Sequence, residues 1–426
     1  MHPVRSGIIA ALDIGSSQVS CFIARVEHDR AVPAPRPRIL GVGNHESRGV
    51  KAGAIVDMAQ AERSIRAAVE MAERMARETV RKVVVNLSCG GPASHLVGAE
   101  ISVQGPEVRE QDMKKLLHQA RGRNRNREAD GAAESEVIHA IPTGYSLDGY
   151  NGIADPRGMY GNRLGVCLHF VTARPGPIRN LALCVERCHL EVAALVASPY
   201  ASGLACLVED ETELGVCCLD MGGAQTGIAM FSGGNLAHLD FVRAGGQHVT
   251  NDIALGLSCS QATAERIKAL YGSATVSASD ERDMIDVPRL GEEARETPNH
   301  VPRSILNGII QPRMEETLEM ARDKLHASGM RERAGRRLVL TGGASQLAGV
   351  RELASEIFSC QARIGRPIRL RGVPASSEGP EYSTVAGLIG FAMSGPLDTG
   401  EVMAAERTLP AAGRVARVGE WLRQNF

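Results

Sequence analysis

Two stretches in different halves of the chain share one pattern of apolar and polar positions. At 8–24 and again at 215–231, an apolar run ends in an aspartate, a glycine turn follows, and a second apolar run begins. Short apolar runs bounded by turn residues predict strands, so each stretch predicts a β-hairpin with a carboxylate, Asp13 or Asp220, at its tip. The repetition of this pattern indicates a duplicated domain.

The rest of the pattern predicts alternating helices and strands. Asp57 is the expected N-cap of an amphipathic helix that runs to about residue 79, and a buried strand at 82–87 follows. Pro312 predicts a kink or break in a later helix because proline has no amide hydrogen to donate. The further helices predicted are 110–119, 181–188, 201–207, 250–255, 261–271, 305–324, 350–358 and 383–393, and the further strands are 39–44, 190–196 and 336–340, the last of the sheet.

A third glycine turn, Thr341-Gly342-Gly343, also follows an apolar strand. Glycine has no side chain, so the backbone amides of such turns can come close to an anion. One glycine turn alone is most often only a turn. Three of them at the ends of strands predict a single nucleotide, held where the turns converge.

Composition narrows the classes of function. The 426 residues, 43% of them apolar, are enough for two or more domains with packed cores. The net charge of −1 provides no overall field for nucleic acid, and the four arginines at 121–127, without interleaved aromatic residues, predict a solvated loop. The ten cysteines lack paired metal-ligand spacing and predict reduced thiols. With neither a signal peptide nor a spanning apolar run, we expect a chain that is not secreted and not transmembrane.

The ordered series of motifs resembles the actin, Hsp70 and sugar-kinase superfamily and, within it, the FtsA family of bacterial cell-division proteins. Asp13-x-Gly15, Asp220-x-Gly222-Gly223 and Thr341-Gly342-Gly343 look like the two phosphate motifs and the adenosine motif of that superfamily. Stretches at 47–57, 245–254, 264–268, 310–316 and 421–426 are similar to FtsA sequences and extend the resemblance over nearly the whole chain.

The resemblance implies an α/β fold of the actin-like ATPase type, with duplicated RNase H-like domains, an inserted small subdomain and a C-terminal amphipathic helix. It also implies domain boundaries. The core of the first half is expected at 1–87, completed by 167–200 and 370–393, with the inserted subdomain at 88–166. The core of the second half is expected at 201–250 and 320–369, its smaller subdomain at 251–319, and the linker and membrane-targeting helix at 394–426.

The resemblance further implies that ATP binds between the halves, with Asp13 and Asp220 near Mg²⁺ through its waters. The expected cofactor-binding residues are Asp13, Gly15, Ser16, Ser17, Asp220, Gly222, Gly223, Ala224, Gln225, Glu265, Lys268, Thr341, Gly342 and Gly343. Ala224 and Gln225 depart from the usual DxGGGTT pattern. Ser198 stands where the superfamily usually places a Glu or Gln that orients water, so we predict weak or absent ATP hydrolysis and assign no catalytic residue.

The C-terminal stretch 414–426 predicts a short amphipathic helix. At 100° per residue four apolar side chains fall in a narrow arc, with the only tryptophan of the chain beside them and basic residues elsewhere on the helix. This arrangement is typical of an interfacial membrane anchor for anionic lipids, and the alternative is a helix docked on the protein itself. The expected membrane residues are Val415, Val418, Trp421, Leu422, Phe426, Arg414, Arg417 and Arg423.

The function implied by the resemblance is that of a cell-division scaffold. Such a protein binds ATP, polymerises with further copies of itself on the cytoplasmic face of the inner membrane at the septum, anchors FtsZ filaments of the Z ring there, and helps to recruit other divisome proteins. Arg313 and Glu316 are the expected FtsZ contacts. Two alternatives remain: a pilus-assembly scaffold of related fold, which usually lacks the terminal anchor, and a small-molecule kinase, which needs an aspartate base in a substrate cleft.

Overall fold

The computed structural model describes residues 7–27, 36–129, 135–288, 299–330, 335–368 and 370–394, without the side chains of 125–129. The strands are β1 (Gly7–Ile14), β2 (Gln18–Glu27), β3 (Arg36–Glu46), β4 (Val50–Lys51), β5 (Ala54–Ile55), β6 (Lys82–Leu87), β7 (Ala93–Ser102), β8 (Glu136–Leu147), β9 (Tyr150–Ile153), β10 (Arg163–Ala173), β11 (Glu191–Ala197), β12 (Val216–Met221), β13 (Thr226–Ser232), β14 (Asn235–Val242), β15 (Met284–Val287), β16 (Asn299–Pro302), β17 (Arg337–Thr341) and β18 (Gln361–Ile364). The helices are α1 (Met58–Ala76), α2 (Glu110–Ala129), α3 (Pro175–Glu186), α4 (Ser198–Cys206), α5 (Glu209–Leu214), α6 (Gly246–Gly256), α7 (Gln261–Tyr271), α8 (Arg303–Ala327), α9 (Val350–Phe358) and α10 (Ser383–Ser394).

Two five-stranded sheets have the same topology. The sheet of the first half has the order β3-β2-β1-β6-β11, and the sheet of the second half has the order β14-β13-β12-β17-β18. In each sheet, three antiparallel strands are followed by two parallel ones. This match confirms the duplicated domain that the two hairpins predict.

The prediction that the strand at 336–340 is the last of the sheet is wrong. It corresponds to β17, and β18 pairs with it in parallel at the edge of the second sheet. β18 has only four residues, of which the first is exposed and the other three are half-buried. A strand this short and this exposed has no run of apolar residues, so the sequence pattern does not predict it.

A four-stranded sheet with the order β7-β10-β8-β9 and helix α2 form an inserted subdomain between β6 and α3. It has its own core, which includes Leu116, Leu164 and Phe170. The prediction of a loop at 121–127 is wrong, because these residues belong to α2. Ala120 is fully buried, and Arg123 Nη1 donates to the carbonyl oxygen of Gly98 on β7 at 2.6 Å. These contacts hold the helix on the sheet beyond residue 119.

The helix predicted after Asp57 is confirmed as α1. The Asp57 side chain accepts a hydrogen bond from the Gln60 amide at 3.0 Å, which caps the helix. Ile65, Ala68 and Ala72 lie on one face of α1 and are completely buried. The other face remains in solvent, as the periodicity predicts.

Of the kink or break predicted at Pro312, the break is absent, because α8 runs without interruption from Arg303 to Ala327. Pro312 itself is exposed, while Leu306, Ile310 and Leu318 on the same helix are fully buried. The burial of these side chains outweighs the roughly 3 kcal/mol that an interior proline costs.

Helices α4 and α10 lie side by side between the two halves. Gly387 on α10 allows the closest approach, because an added Cβ would lie 1.7 Å from the Ala201 carbonyl oxygen on α4. Among the residues that the structure describes, no helix is long and apolar enough to cross a membrane. The predicted anchor at 414–426 lies outside the described residues.

Candidate functional site

Asp13 and Asp220 occupy equivalent places at the ends of β1 and β12. The Asp220 carboxylate accepts hydrogen bonds from Ser202 Oγ on α4 at 2.8 Å and from Thr384 Oγ1 on α10 at 3.2 Å. Within the described chain, neither carboxylate has an ion pair. Desolvation by surrounding protein atoms, together with the charge of Asp220, raises the pKa of Asp13 to about 8. Desolvation also raises the pKa of Asp220.

The first hairpin loop (15–17) and the second hairpin loop (222–225) close with the same hydrogen bond. The Gly15 amide donates to the Gln18 carbonyl at 3.0 Å, and the Gly222 amide donates to the Gln225 carbonyl at 2.9 Å. These two glycine amides are therefore used within the turns. Four amides at the tips donate no hydrogen bond within the described residues: those of Ser16, Ser17, Gly223 and Ala224.

The third glycine turn lies directly against the second aspartate. Gly342 has a φ of +81°, and an added Cβ would lie 2.6 Å from Asp220 Oδ1. Thr341 is buried, and its hydroxyl bonds Ser383 Oγ at the start of α10 at 2.6 Å. Gly343 follows at the start of a 3-10 turn. The third glycine turn and the second hairpin therefore meet at Asp220.

Glu265 and Lys268 on α7 form one hydrogen-bonded group with Gly246 and Thr250 of α6. Lys268 Nζ donates to Glu265 Oε2 at 2.7 Å, to Thr250 Oγ1 at 2.8 Å and to the Gly246 carbonyl at 3.1 Å. The Gly246 amide in turn donates to the Gly222 carbonyl at 3.0 Å. The predicted Glu265 and Lys268 pair is thus joined to the second hairpin loop.

The sequence reasoning missed three polar residues that position this site. Asn86 is almost fully buried; its Oδ1 accepts from the Ile14 amide at 2.7 Å and its Nδ2 donates to Ser198 Oγ at 3.2 Å. An asparagine inside the apolar run 82–87 is a signal that could have found it. Ser202 and Thr384 lie among small residues on helices and leave no such signal.

Arg313 and Glu316 lie on α8 in a separate ionic group. Arg313 Nε donates to Asp252 Oδ2 on α6 at 2.6 Å, and Arg313 Nη1 donates to Glu316. The Arg313 side chain is 30% exposed and that of Glu316 53% exposed. This pair is therefore available at the surface of the segment 251–319.

Comparison with known proteins gives consistent matches along the chain. A model of the cell division protein FtsA matches residues 217–387, and a model of the SHS2 domain inserted in FtsA matches residues 90–172. The cell division protein FtsA of Agrobacterium fabrum is 44% identical over 99% of this chain and 96% of that protein. The FtsA of Pseudomonas aeruginosa is 31% identical over all of both chains, and that of Escherichia coli K12 is 31% identical over 98% of each.

Solved structures show the same fold at lower sequence identity. The PilM–PilN type IV pilus biogenesis complex matches with a TM-score of 0.61 and 17% identity over 90% of this chain and 98% of that one. MreB5 of Spiroplasma citri bound to ADP matches with a TM-score of 0.50 and 13% identity over 90% and 95% of the two chains. The fold is the actin-like α/β fold with an inserted small subdomain, as predicted, and the insertion is of the SHS2 type. With relatives 44% identical over almost its whole length, the chain belongs to the FtsA family of cell division proteins.

Proposed function

We propose that this cell division protein binds ATP with Mg²⁺ between its halves, polymerises on the cytoplasmic face of the cell membrane, and anchors FtsZ filaments there at the septum. The proposed ATP site rests on one observation: three glycine turns lie together beside two carboxylates that have no ion pair among the described residues. The ADP in the MreB5 structure, which shares the fold, supports the same reading.

The two hairpin loops provide donors for phosphate oxygens. The free amides of Ser16, Ser17, Gly223 and Ala224 belong to tips without bulky side chains, so they can approach an anion closely. Asp13 and Asp220 provide carboxylates that would hold Mg²⁺ through its waters. The ion would serve as the cationic partner that neither buried carboxylate has among the described residues. Glu265 and Lys268 would hold the ribose and base, and Gly342 and Gly343 would close over the base.

Ser198 supports a nucleotide-gated switch rather than a fast ATPase. Its hydroxyl accepts from Asn86, and the residue is 7% exposed at the start of α4. A serine side chain is short and is a poor base, so it orients an attacking water less well than a Glu or Gln does. We therefore expect weak or absent turnover.

The surface of α6 and α8 suits a peptide with both apolar and charged residues. Leu255 at the end of α6 is 80% exposed and Ile305 at the start of α8 is 49% exposed. Arg313, Glu316 and Asp252 form an ionic group on the same two helices. We assign this surface to FtsZ. Exposed Tyr150 and Tyr160 on the inserted subdomain offer a second surface, for other divisome proteins or for the next copy in a filament.

The two alternatives have less support. The pilus complex shares only the fold, at 17% identity, whereas FtsA relatives reach 44% over nearly the whole chain. A kinase needs an aspartate base in a substrate cleft, whereas our proposal assigns Asp13 and Asp220 to Mg²⁺ and assigns no such base.

Equilibrium titration with MgATP tests the nucleotide site. Asp220→Asn should lower the affinity at least about tenfold, since second-sphere carboxylates typically contribute that much to metal binding. The matched control is Asp323→Asn, which changes an aspartate of α8 that is 66% exposed and pairs only with Arg322 among the described residues. Circular dichroism confirms that both variants fold. An intact chain that binds no MgATP would contradict the proposal.

A further inference from the structure

Two glutamine side chains of the second half reach across to the first half beside the hairpin loops. Gln225 Nε2 donates to the Ser88 carbonyl at 3.0 Å, just after β6. Gln247 Nε2, on the first turn of α6, contacts the Ser16 carbonyl at 3.4 Å and Ser17 Oγ at 3.3 Å. Gln225 lies at the position where the superfamily pattern has a threonine, which is too short for this contact.

The first half presents a packed surface to these glutamines. Ser16 Oγ accepts from the Gly53 amide at 3.3 Å, and a Cβ added to Gly53 would lie 2.3 Å from Ser88 Oγ. The first hairpin loop, Gly53 and Ser88 are therefore linked by direct contacts. A glutamine that holds Ser88 consequently also restrains the first hairpin loop.

The second half presents its glutamines from an equally tight unit. The Gln247 amide donates to the Gly223 carbonyl at 2.7 Å, which ties α6 to the second hairpin loop. The two loops then meet directly, because a Cβ added to Gly223 would lie 2.1 Å from Ser17 Oγ. The side chain of Gln225 is half-buried and that of Gln247 is exposed, so the bond from Gln225 is better protected from water.

We propose that Gln225, assisted by Gln247, is a positioning residue that holds the second hairpin loop against the first half and thereby slows release of the bound nucleotide. This inference rests on the proposed ATP site. A nucleotide whose phosphates lie between the two loops can leave only when the loops separate, and separation breaks the hydrogen bonds of both glutamines. The departure from the threonine pattern at 225 thus exchanges a short side chain for one that spans the halves.

The test measures how fast a fluorescent ATP analogue dissociates when chased with unlabelled MgATP. Gln225→Met keeps the length of the side chain but removes the donor, and it should dissociate about fivefold faster, the effect of one ordinary hydrogen bond. Gln247→Met should show a smaller increase because its contact is exposed and longer. Gln311→Met is the matched control: its Nε2 donates to Glu315 Oε1 at 2.7 Å within α8, and its dissociation rate should equal that of the intact chain.

Amide hydrogen exchange of residues 14–20, measured without nucleotide, separates this inference from the proposed function. Gln225→Met should exchange faster there than the intact chain, with an unchanged melting temperature. If the intact chain holds no ATP analogue, the proposed function fails, whereas the exchange still tests the contact between the halves. Dissociation within twofold of the intact chain, or unchanged exchange at 14–20, would overturn the inference.

Discussion

Asp13 shows how strongly its surroundings set the chemistry of one residue. Desolvation and the charge of Asp220 raise its pKa to about 8, from 3.8 in an unfolded chain. The folded chain therefore binds a proton at Asp13 more tightly than the unfolded chain does. It follows that the stability associated with protonated Asp13 is complete below pH 3.8 and is lost as the pH rises towards 8.

We expect Asp13→Asn to remove the loss of stability that the intact chain undergoes as the pH rises towards 8. In buffer with a chelator and no nucleotide, the melting temperature of the variant relative to the intact chain should rise by a few degrees between pH 5 and pH 8, because asparagine remains neutral. Differential scanning fluorimetry at several pH values measures this difference. Asp323→Asn, at an exposed site, is the control and should show a constant difference. If the melting-temperature difference for Asp13→Asn were also constant across this pH range, the pKa of Asp13 would not be raised as described.

Among site residues, those in motifs could be predicted from the sequence and those outside them could not. The aspartates and glycines of the three turns are bounded by apolar runs, so their place at strand ends follows from local pattern. Ser202 and Thr384 lie 18 and 164 residues from Asp220 along the chain. Only the packing of α4 against α10 brings their hydroxyls to that carboxylate. The local sequence pattern does not predict this packing.

At the scale of elements, prediction succeeded where burial is strong and local. The hairpins β1–β2 and β12–β13 and helix α1 have long buried faces, and the sequence predicts all of them. α2 continues past residue 119 because of contacts with another strand, which the arginine-rich sequence does not show. Helix α8 likewise depends on tertiary packing, which overrides its proline.

Helix α8 yields a prediction of its own. Pro312 is exposed and lies four residues after Gly308, whose carbonyl has no partner amide at position 312. Pro312→Ala restores that amide, so we expect the free energy of unfolding to rise by about 1–3 kcal/mol. Urea denaturation followed by circular dichroism measures the change. A loss of stability would show instead that the proline ring makes a contact that alanine cannot replace.

At the scale of the whole molecule, the two halves meet at several separate places. Helices α4 and α10 pack between them, Gln225 and Gln247 join them beside the hairpin loops, and Ser94 Oγ on β7 donates to the Leu239 carbonyl on β14 at 2.9 Å. The candidate nucleotide site is therefore in direct contact with α10, through the Thr384 hydroxyl at Asp220, and the inserted subdomain contacts the second half at β14. α10 is also the last described helix before the predicted linker and anchor.

The most direct test of the central proposal, a tether between FtsZ and the membrane, is vesicle co-sedimentation. FtsZ, MgATP and vesicles that contain anionic lipid are mixed with the intact chain, with Trp421→Glu, or with Trp421→Phe as the conservative control. A charge on the apolar face of the predicted anchor should abolish membrane binding, while phenylalanine should retain most of it. We predict that FtsZ pellets with the intact chain and with Trp421→Phe but not with Trp421→Glu. If FtsZ stays in solution although the intact chain itself pellets with the vesicles, the tether proposal is contradicted.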